Sequence, residues 1–584
     1  MEPCSLAAAS EEYADFIVEH NNYSRELLEE LTGTDCIDLI SRQYAAVYVP
    51  ADQALPLSLT KYSYTSIPKL YTLLDTSALE ASGISAVLAQ PALSTGGEDV
   101  MIGFVDTGIS YCSPLFLDRG GRTRILGIWD QTLPAEGDRS FFSDLSPFSG
   151  FSDTSFLYGR QFSEEEINAA LNSPNPLDLV PTRDELGHGT FMAGVAAGSE
   201  TEDGSFFGAA PRCRIGVVKC RPAKSYLRDF YLLADEAAAY QENDIMMGLK
   251  YLLLLAASRG LPLVAVLGLG TSQGSHEGTS PLGKMLNQLA GFSGVIPVLA
   301  AGNEAAKSRH FLGSVARNEE YEDVELRVAD GEKGFVLELW ARDPELYTVG
   351  FLSPTGERIS RIPLTFSGDN QVRFLLEQTE ITVNYINAEA GSGSQLIFMR
   401  FQAPTAGIWQ IRVYSSLFIT GEYHMWLPPD TFISENTLFL RSNPDTTVTD
   451  PANAPLPITA GAYDHISGGI YLNSGRGFSR SGKIKPELAA PGVNVAGPGR
   501  SPIPCDTPAS ARTGTCAAAA VTAGAVASLM SWGLKNGHPE MAASAAVKSY
   551  LVRGARRSPA YSYPSKEWGY GELDLYGTFL RMRE

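Results

Sequence analysis

The chain of 584 residues is poor in cysteine, in cationic side chains and in long uninterrupted apolar runs. Its seven cysteines are scattered and form no C-x-x-C pair, which excludes a disulfide-scaffold protein, and we expect them to be small packing residues. Lysine and arginine number 45 against 66 acidic residues, and the resulting charge of −21 repels phosphate backbones and anionic lipids. We therefore expect neither a nucleic-acid partner nor a membrane partner.

The sequence also lacks export and membrane-spanning signals. The most apolar stretch, residues 248–270, is interrupted by Lys250, Arg259 and Pro262, so its runs are too short to cross a bilayer. The N-terminus has no basic region and carries Glu11 and Glu12, unlike a secretory signal. We expect a soluble protein of two or three domains, because the chain is about four times as long as a typical domain of roughly 150 residues. Its 44% hydrophobic residues supply a sizeable core.

The residue pattern changes along the chain. The first 75 residues hold twelve acidic and four basic side chains and predict a separate module, with strands near 15–19 and 44–49 and a helix near 23–31. From Val100, short apolar runs alternate with glycine-rich turns and small-residue helices, which is typical of βα units around a parallel sheet. Segments of period two between about 318 and 427 predict an inserted all-β sandwich.

Three glycine-flanked segments each place one reactive side chain at the end of a buried element. Asp106 ends an apolar run, His188 lies between two glycines at the start of a small-residue helix, and Cys516 starts a second such helix. Each residue alone is more often structural than catalytic. Together, their order of carboxylate, imidazole and nucleophile matches one arrangement of the hydrolytic triad, and a helix N-terminus stabilises negative charge at the nucleophile.

These segments resemble the Asp, His and Ser blocks of the subtilisin-like serine proteases. Residues 300–304 resemble a fourth block, whose Asn303 side chain completes the oxyanion hole. Residues Gly268, Leu269 and Gly270 resemble the edge strand that binds an extended polypeptide substrate. The resemblance implies an α/β fold, with a subtilisin-like parallel sheet flanked by helices, and an endopeptidase that needs no cofactor; no metal ligands are predicted.

Within that family the chain is similar to the Csp-type germination proteases of clostridial spores, through residues 129–132 and 158–168 and a jelly-roll insertion. The resemblance implies an α+β prodomain over 1–75 that is cut off by the enzyme itself and stays bound in the active-site cleft. It implies a catalytic core over 76–317 and 428–584, interrupted by the insertion over 318–427. It also implies a spore location and a cortex-hydrolase zymogen as partner; otherwise we expect a cytoplasmic protein or one released without a conventional signal.

Cys516 departs from the family pattern, which has serine at this position. Three explanations are open: an engineered replacement of serine, a natural thiol enzyme and a natural pseudoprotease. The intact Asp106, His188 and Asn303 favour an engineered replacement, since a decaying pseudoprotease has no reason to keep them. A sulfur atom in a site shaped for oxygen predicts weak peptide hydrolysis. The alternative from another class is an inactive regulator whose cleft only binds a peptide.

Overall fold

The structure is a computed structural model that describes residues 13–19, 23–39, 44–54, 77–90, 92–93, 95–134, 142, 156, 158–364, 370–503 and 505–582. The chain separates into two compact units, Met1–Leu73 and Leu74–Glu584. Each unit has its own hydrophobic core.

The first unit contains a small antiparallel sheet and one longer helix. Its elements are β1 (Tyr13–Glu19), α1 (Arg25–Thr32), β2 (Ile37–Leu39), β3 (Tyr44–Pro50) and α2 (Ala51–Ala54). The strand order is β1-β3-β2, and Leu28 of α1 packs with Ile37 and Val47. Ser24 accepts a hydrogen bond from the Leu27 N–H at the start of α1, and Gly33 ends the helix at a positive φ of 73°. The strands and the helix predicted for this segment are confirmed.

Residues 77–300 of the second unit alternate strands with helices. Their elements are α3 (Ser77–Ala81), α4 (Ile84–Leu88), β4 (Met101–Asp106), β5 (Ile125–Asp130), β6 (Arg160–Ser163), α5 (Glu164–Leu171), α6 (Pro176–Leu179), α7 (His188–Ala197), β7 (Arg214–Lys219), α8 (Ser225–Phe230), α9 (Glu242–Ser258), β8 (Leu263–Leu267), α10 (Pro281–Ala290) and β9 (Val295–Ala300). Strands that follow helices in this way are expected to be parallel.

The described part of residues 310–439 consists of strands and turns. The strands are β10 (His310–Ser314), β11 (Tyr321–Val328), β12 (Gly334–Ala341), β13 (Leu346–Leu352), β14 (Arg358–Ile359), β15 (Asn370–Arg373), β16 (Glu380–Ile386), β17 (Gln395–Gln402), β18 (Gly407–Leu417), β19 (Glu422–Trp426) and β20 (Leu438–Phe439). They form two antiparallel sheets, in the orders β10-β19-β12-β17-β16-β15 and β14-β13-β18-β11-β20. The inward side chains of both sheets share one apolar core.

The last part of the chain returns to the mixed pattern of residues 77–300. Its elements are β21 (Ile458–Tyr463), β22 (Leu488–Pro491), β23 (Val495–Pro498), β24 (Ala509–Arg512), α11 (Thr515–Lys535), α12 (Ser544–Gly554) and α13 (Leu575–Arg581). Strands β23 and β24 form a separate antiparallel hairpin that leads directly into α11.

An eight-stranded sheet forms the centre of the second unit. Its strand order is β22-β21-β9-β8-β4-β7-β5-β6, and every neighbouring pair is parallel except β5 with β6. Helices α7 and α11 pack on one face, whereas α9 and α10 cover the other. The predicted α/β class, with a parallel sheet between helices, is confirmed.

Small residues allow α11 to run through the centre of the core. A Cβ atom on Gly524 would lie 2.2 Å from the Cβ of Ala209, so only glycine fits at this crossing. Among the described helices, α11 alone is long and apolar enough to span a membrane, but 89% of its most apolar window is buried inside the protein. Such burial is typical of a core helix.

Aromatic stacking and a buried arginine connect the two antiparallel sheets to the α/β part of the same unit. His276, in the segment after β8, stacks on Trp426 of β19 with ring centroids 4.0 Å apart. Arg480 donates to the Ser275 carbonyl oxygen at 2.8 Å and to the Ser394 hydroxyl at 2.6 Å. The antiparallel sheets are therefore held against the segment that follows β8.

The cysteine prediction is wrong for three of the seven residues. Cys112 and Cys505 form a disulfide across 393 residues of sequence, and Cys36 is also disulfide-bonded. Cys213 and Cys220 are buried free thiols, as expected, and Cys4 lies outside the described residues. Pairing over such a distance depends on the tertiary fold, so cysteine spacing did not reveal it.

Replacing both Cys112 and Cys505 by serine should destabilise the second unit. The bond joins the segment after β4 to the hairpin that precedes α11, and loss of a native disulfide typically costs about 2–5 kcal/mol. We expect a lower urea midpoint for the double variant. The double variant is a cleaner test than a reducing agent, which would also attack the disulfide of Cys36. An unchanged midpoint would contradict a stabilising role for this bond.

Candidate active site

A buried carboxylate and an imidazole meet at the carboxyl ends of the central strands. Asp106 is the last residue of β4 and only 2% exposed, whereas His188 is the first residue of α7. The His188 Nδ1 atom lies 2.7 Å from Asp106 Oδ1. The same oxygen accepts a hydrogen bond from the Thr107 backbone N–H at 2.7 Å, which fixes the carboxylate. The carboxylate therefore orients the ring and leaves Nε2 for other contacts.

Cys516 lies on the other side of this imidazole, as the second residue of α11. Its thiol donates to the Gly268 carbonyl oxygen at 3.2 Å, and its proximity to His188 contributes to the raised pKa of that imidazole. The backbone N–H of Cys516 belongs to the first turn of α11, where N–H groups have no partner within the helix. The structure thus brings Asp106, His188 and Cys516 together around Gly268.

Asn303 reaches the same end of α11 from the loop after β9. Its Oδ1 atom accepts hydrogen bonds from the Thr515 backbone N–H at 3.0 Å and from the Thr515 hydroxyl at 3.3 Å. The Thr515 hydroxyl in turn accepts from the Gly302 N–H at 3.0 Å. Because Oδ1 is used in this way, the donor end of the Asn303 amide, Nδ2, is available to a ligand beside Cys516.

The predicted substrate-binding residues follow β8 directly. Gly268 and Leu269 are half-buried and Gly270 is exposed. A Cβ atom on Gly268 would lie only 3.0 Å from His188 Cε1 and 3.4 Å from Asp106 Oδ2. Glycine at this position therefore allows the segment to pass close to the imidazole.

A buried carboxylate that we did not predict, Asp184, connects the Asp106 turn to the start of α7. Its Oδ1 atom accepts from the Thr107 hydroxyl and the Gly187 N–H, both at 2.7 Å. Its Oδ2 atom accepts from the Thr190 N–H at 2.8 Å and the Thr190 hydroxyl at 2.7 Å. With both acceptor atoms occupied, Asp184 fixes the two threonine hydroxyls in one orientation.

The two threonine hydroxyls complete the connection by accepting backbone hydrogen bonds from the opposite segment. The Thr107 hydroxyl accepts from the Gly189 N–H at 2.9 Å, and the Thr190 hydroxyl accepts from the Ser110 N–H at 3.0 Å. Asp184 stands four residues before His188, in the segment D-E-L-G-H-G-T. An acidic residue so close to a helix start is a common capping signal, so the sequence did not distinguish its tertiary role.

The environment of His188 favours the imidazolium form. Burial lowers the pKa of His188, but the charge and hydrogen bond of Asp106, followed by the contacts with Cys516, raise the pKa well above the ordinary value of 6.5. Because the pKa of the folded state is raised, the imidazolium stabilises the fold fully below the unfolded pKa. That stabilisation is lost as the pH rises through the folded pKa.

The described residues contain no group of three or more His, Cys, Asp or Glu side chains that could hold a metal ion. A carboxylate, an imidazole, a thiol and an amide donor are the groups that acyl transfer requires.

Comparison with known proteins defines the class. The model of the subtilase family matches residues 97–324 and 434–571, which is more than half of the chain. The chain belongs to the subtilase family, as predicted. The gap between the two matched segments contains most of the antiparallel strands of residues 310–439.

Among solved structures, the chain is similar to the CspB protease of Clostridium perfringens. The two share 28% sequence identity and a TM-score of 0.74 over 87% of this chain and 99% of that one. Among curated proteins it resembles two subtilisin-like proteases of Arabidopsis thaliana. These are SBT2.4, 35% identical over 24% of this chain, and SBT2.3, 26% identical over 38% of it. The aligned part spans only 18% and 27% of these two relatives.

Replacing Asp106 by asparagine should lower the pKa of His188. The substitution removes the negative charge next to Nδ1 while keeping a side chain of similar shape. The imidazole resonances, assigned by comparison with a His188→Ala variant, should titrate at lower pH in NMR spectra. An unchanged or higher pKa would show that Asp106 does not set the charge of His188.

Proposed function

We propose that the protein is an endopeptidase that cleaves polypeptides by acyl transfer, with Asp106, His188 and residue 516 as its triad. The observation that carries the proposal is the position of the His188 imidazole, which lies 2.7 Å from the Asp106 carboxylate and beside Gly268, whose carbonyl oxygen accepts from the Cys516 thiol. Membership of the subtilase family supports a polypeptide as substrate.

In the proposed mechanism, the neutral form of His188 takes the proton of the nucleophile and becomes the imidazolium that Asp106 stabilises, while the nucleophile attacks the carbonyl carbon of the scissile bond. The resulting oxyanion accepts hydrogen bonds from Asn303 Nδ2 and the Cys516 N–H. Loss of one such donor typically raises the barrier by about 3–4 kcal/mol. The C–N bond then breaks as His188 returns the proton to the leaving amine. Water hydrolyses the acyl-enzyme by the same steps, with His188 again as the base.

The identity of residue 516, cysteine or serine, determines the rate of peptide hydrolysis. Sulfur is larger than oxygen, and small displacements of the attacking atom can cost about a hundredfold in rate. We propose that Cys516 replaces a serine, most simply by engineering, and that the form with cysteine hydrolyses peptides weakly. A natural thiol enzyme would give the same contacts but would not gain from serine.

The first unit fits the role of a prodomain. It is compact, carries a net charge of −7 over residues 1–73 and precedes the part matched by the family model. We propose that it assists folding, is cut off by the enzyme itself and stays in the cleft as an inhibitor. Residues 68–75, the proposed tail, lie outside the described residues. The similarity to the CspB protease supports the further proposal of a spore protein that activates a cortex-hydrolase zymogen.

A second candidate is a non-enzymatic regulator, favoured by the presence of cysteine where the family has serine. In such a protein the cleft would bind a peptide or the first unit without cleaving it.

Replacing Cys516 by serine should raise peptidase turnover by about a hundredfold or more, because the attacking atom then fits the space beside His188 and Asn303. Hydrolysis of a casein-derived peptide mixture measures the gain, and covalent labelling by a fluorophosphonate probe reports an activated serine. The matched control carries Cys516→Ser together with His188→Ala and should neither label nor turn over. No labelling and no gain in the serine form would support the regulator instead.

Self-processing should cut the serine form between about residues 70 and 79. Intact-mass spectrometry of freshly purified protein would show two fragments, whereas the variant that also carries His188→Ala should stay whole. An uncut chain in a preparation that hydrolyses added peptides would refute self-processing and leave the peptidase proposal standing.

A further inference from the structure

The space beside Cys516 lies between two segments that continue from neighbouring strands. Strands β8 and β9 are parallel neighbours, so residues 268–270 and 301–303 leave the same edge of the sheet side by side. Gly268 contacts the Cys516 thiol, and Asn303 contacts Thr515 at the start of α11. When the scissile carbonyl group of a substrate lies against Cys516 and Asn303, the side chain of the same residue, called P1, must therefore point between these two segments.

Thr449 fills the space between the two segments. A Cβ atom on Gly270 would lie 2.5 Å from the Thr449 hydroxyl oxygen, and one on Gly302 would lie 2.6 Å from the hydroxyl oxygen and the methyl carbon alike. The Thr449 side chain thus contacts a glycine on each side, and the residue is only 4% exposed. The three heavy atoms of the Thr449 side chain therefore close the gap between the two segments at the level of Gly270 and Gly302.

The backbone around Thr449 is held on both sides, so the side chain is fixed in the gap. The Thr449 N–H donates to the Ala301 carbonyl at 3.0 Å, and its own carbonyl accepts from Ala452 at 2.9 Å. The next residue, Asp450, exchanges two hydrogen bonds of 2.9 Å with Thr271. Ala301 belongs to one segment that borders the gap and Thr271 directly follows the other, so withdrawing Thr449 would break hydrogen bonds on both sides.

We propose that Thr449 closes the P1 pocket and restricts cleavage to bonds that follow a small residue, such as glycine, alanine or serine. This inference rests on the proposed peptidase function. Threonine acts here mainly by its volume, because the hydroxyl lies a long 3.4 Å from its acceptor, the Ala301 carbonyl oxygen. Space equivalent to a single methylene group changes discrimination in such pockets by about 10- to 200-fold.

The test compares P1 preference among variants of the serine form. Cleavage sites in a defined peptide mixture are mapped by mass spectrometry, and kcat/KM is then measured for peptides that differ only by alanine, leucine or phenylalanine at P1. With Thr449 we expect alanine to exceed phenylalanine at least tenfold. Thr449→Gly should shift this ratio at least tenfold towards leucine and phenylalanine, whereas Thr449→Val, of the same shape without the hydroxyl, should retain the small-residue preference.

Two results would overturn the inference while leaving the peptidase function intact: efficient cleavage after phenylalanine with Thr449 in place, or a ratio that Thr449→Gly leaves unchanged. If the serine form cleaves nothing, the proposed function fails, and the pocket is tested separately on the protein with Cys516. Peptide chloromethyl ketones ending in alanine or phenylalanine alkylate the thiol, and the mass gain gives the rate. With Thr449 in place, we expect the alanine probe to react at least tenfold faster than the phenylalanine probe, and we expect Thr449→Gly to remove this difference. If both probes react equally with the Thr449 protein, or if neither reacts, the inference is overturned.

Discussion

The positions of Asp106 and His188 depend on the four hydrogen bonds accepted by the Asp184 carboxylate. The Asp106 turn and the start of α7 are some eighty residues apart in the chain. Backbone N–H groups of each segment donate to a threonine hydroxyl of the other. A buried charge is tolerated only when its acceptor capacity is used, and each oxygen of Asp184 has two donors. Polar contacts thus join the segment that carries Asp106 to the segment that carries His188.

Sequence reasoning succeeded where the signal was local. Asp106, His188, Asn303 and Cys516 each stand in a short glycine-rich block, because a reactive side chain at a crowded strand or helix end needs small neighbours. The structure brings these four residues together. The period-two pattern likewise indicated the antiparallel strands after β9. The catalytic roles of these residues and the domain boundaries stay predictions, because the structure shows which residues lie close together and does not show a reaction.

Sequence reasoning failed where the partners are far apart. Asp184 looked like an ordinary capping residue, and Thr449 gave no signal, because its importance comes from two glycines on other segments. The cysteine pair Cys112 and Cys505 was missed for the same reason. The stacking of His276 on Trp426 could not be anticipated either, since it joins a loop to a strand 150 residues later. In each case a local pattern permits many partners, and only the completed fold selects one.

The late position of α11 has a consequence for synthesis of the protein. This helix, which packs against α7 and supplies Cys516, begins at residue 515, after every strand of the central sheet. A ribosome that has produced the sheet has therefore not yet produced the helix that covers one face of it. Until α11 emerges, that face is covered by α7 without its longer neighbour, and residue 516 is absent. The order of elements along the chain thus leaves the site incomplete until residue 516 and the rest of α11 have been translated.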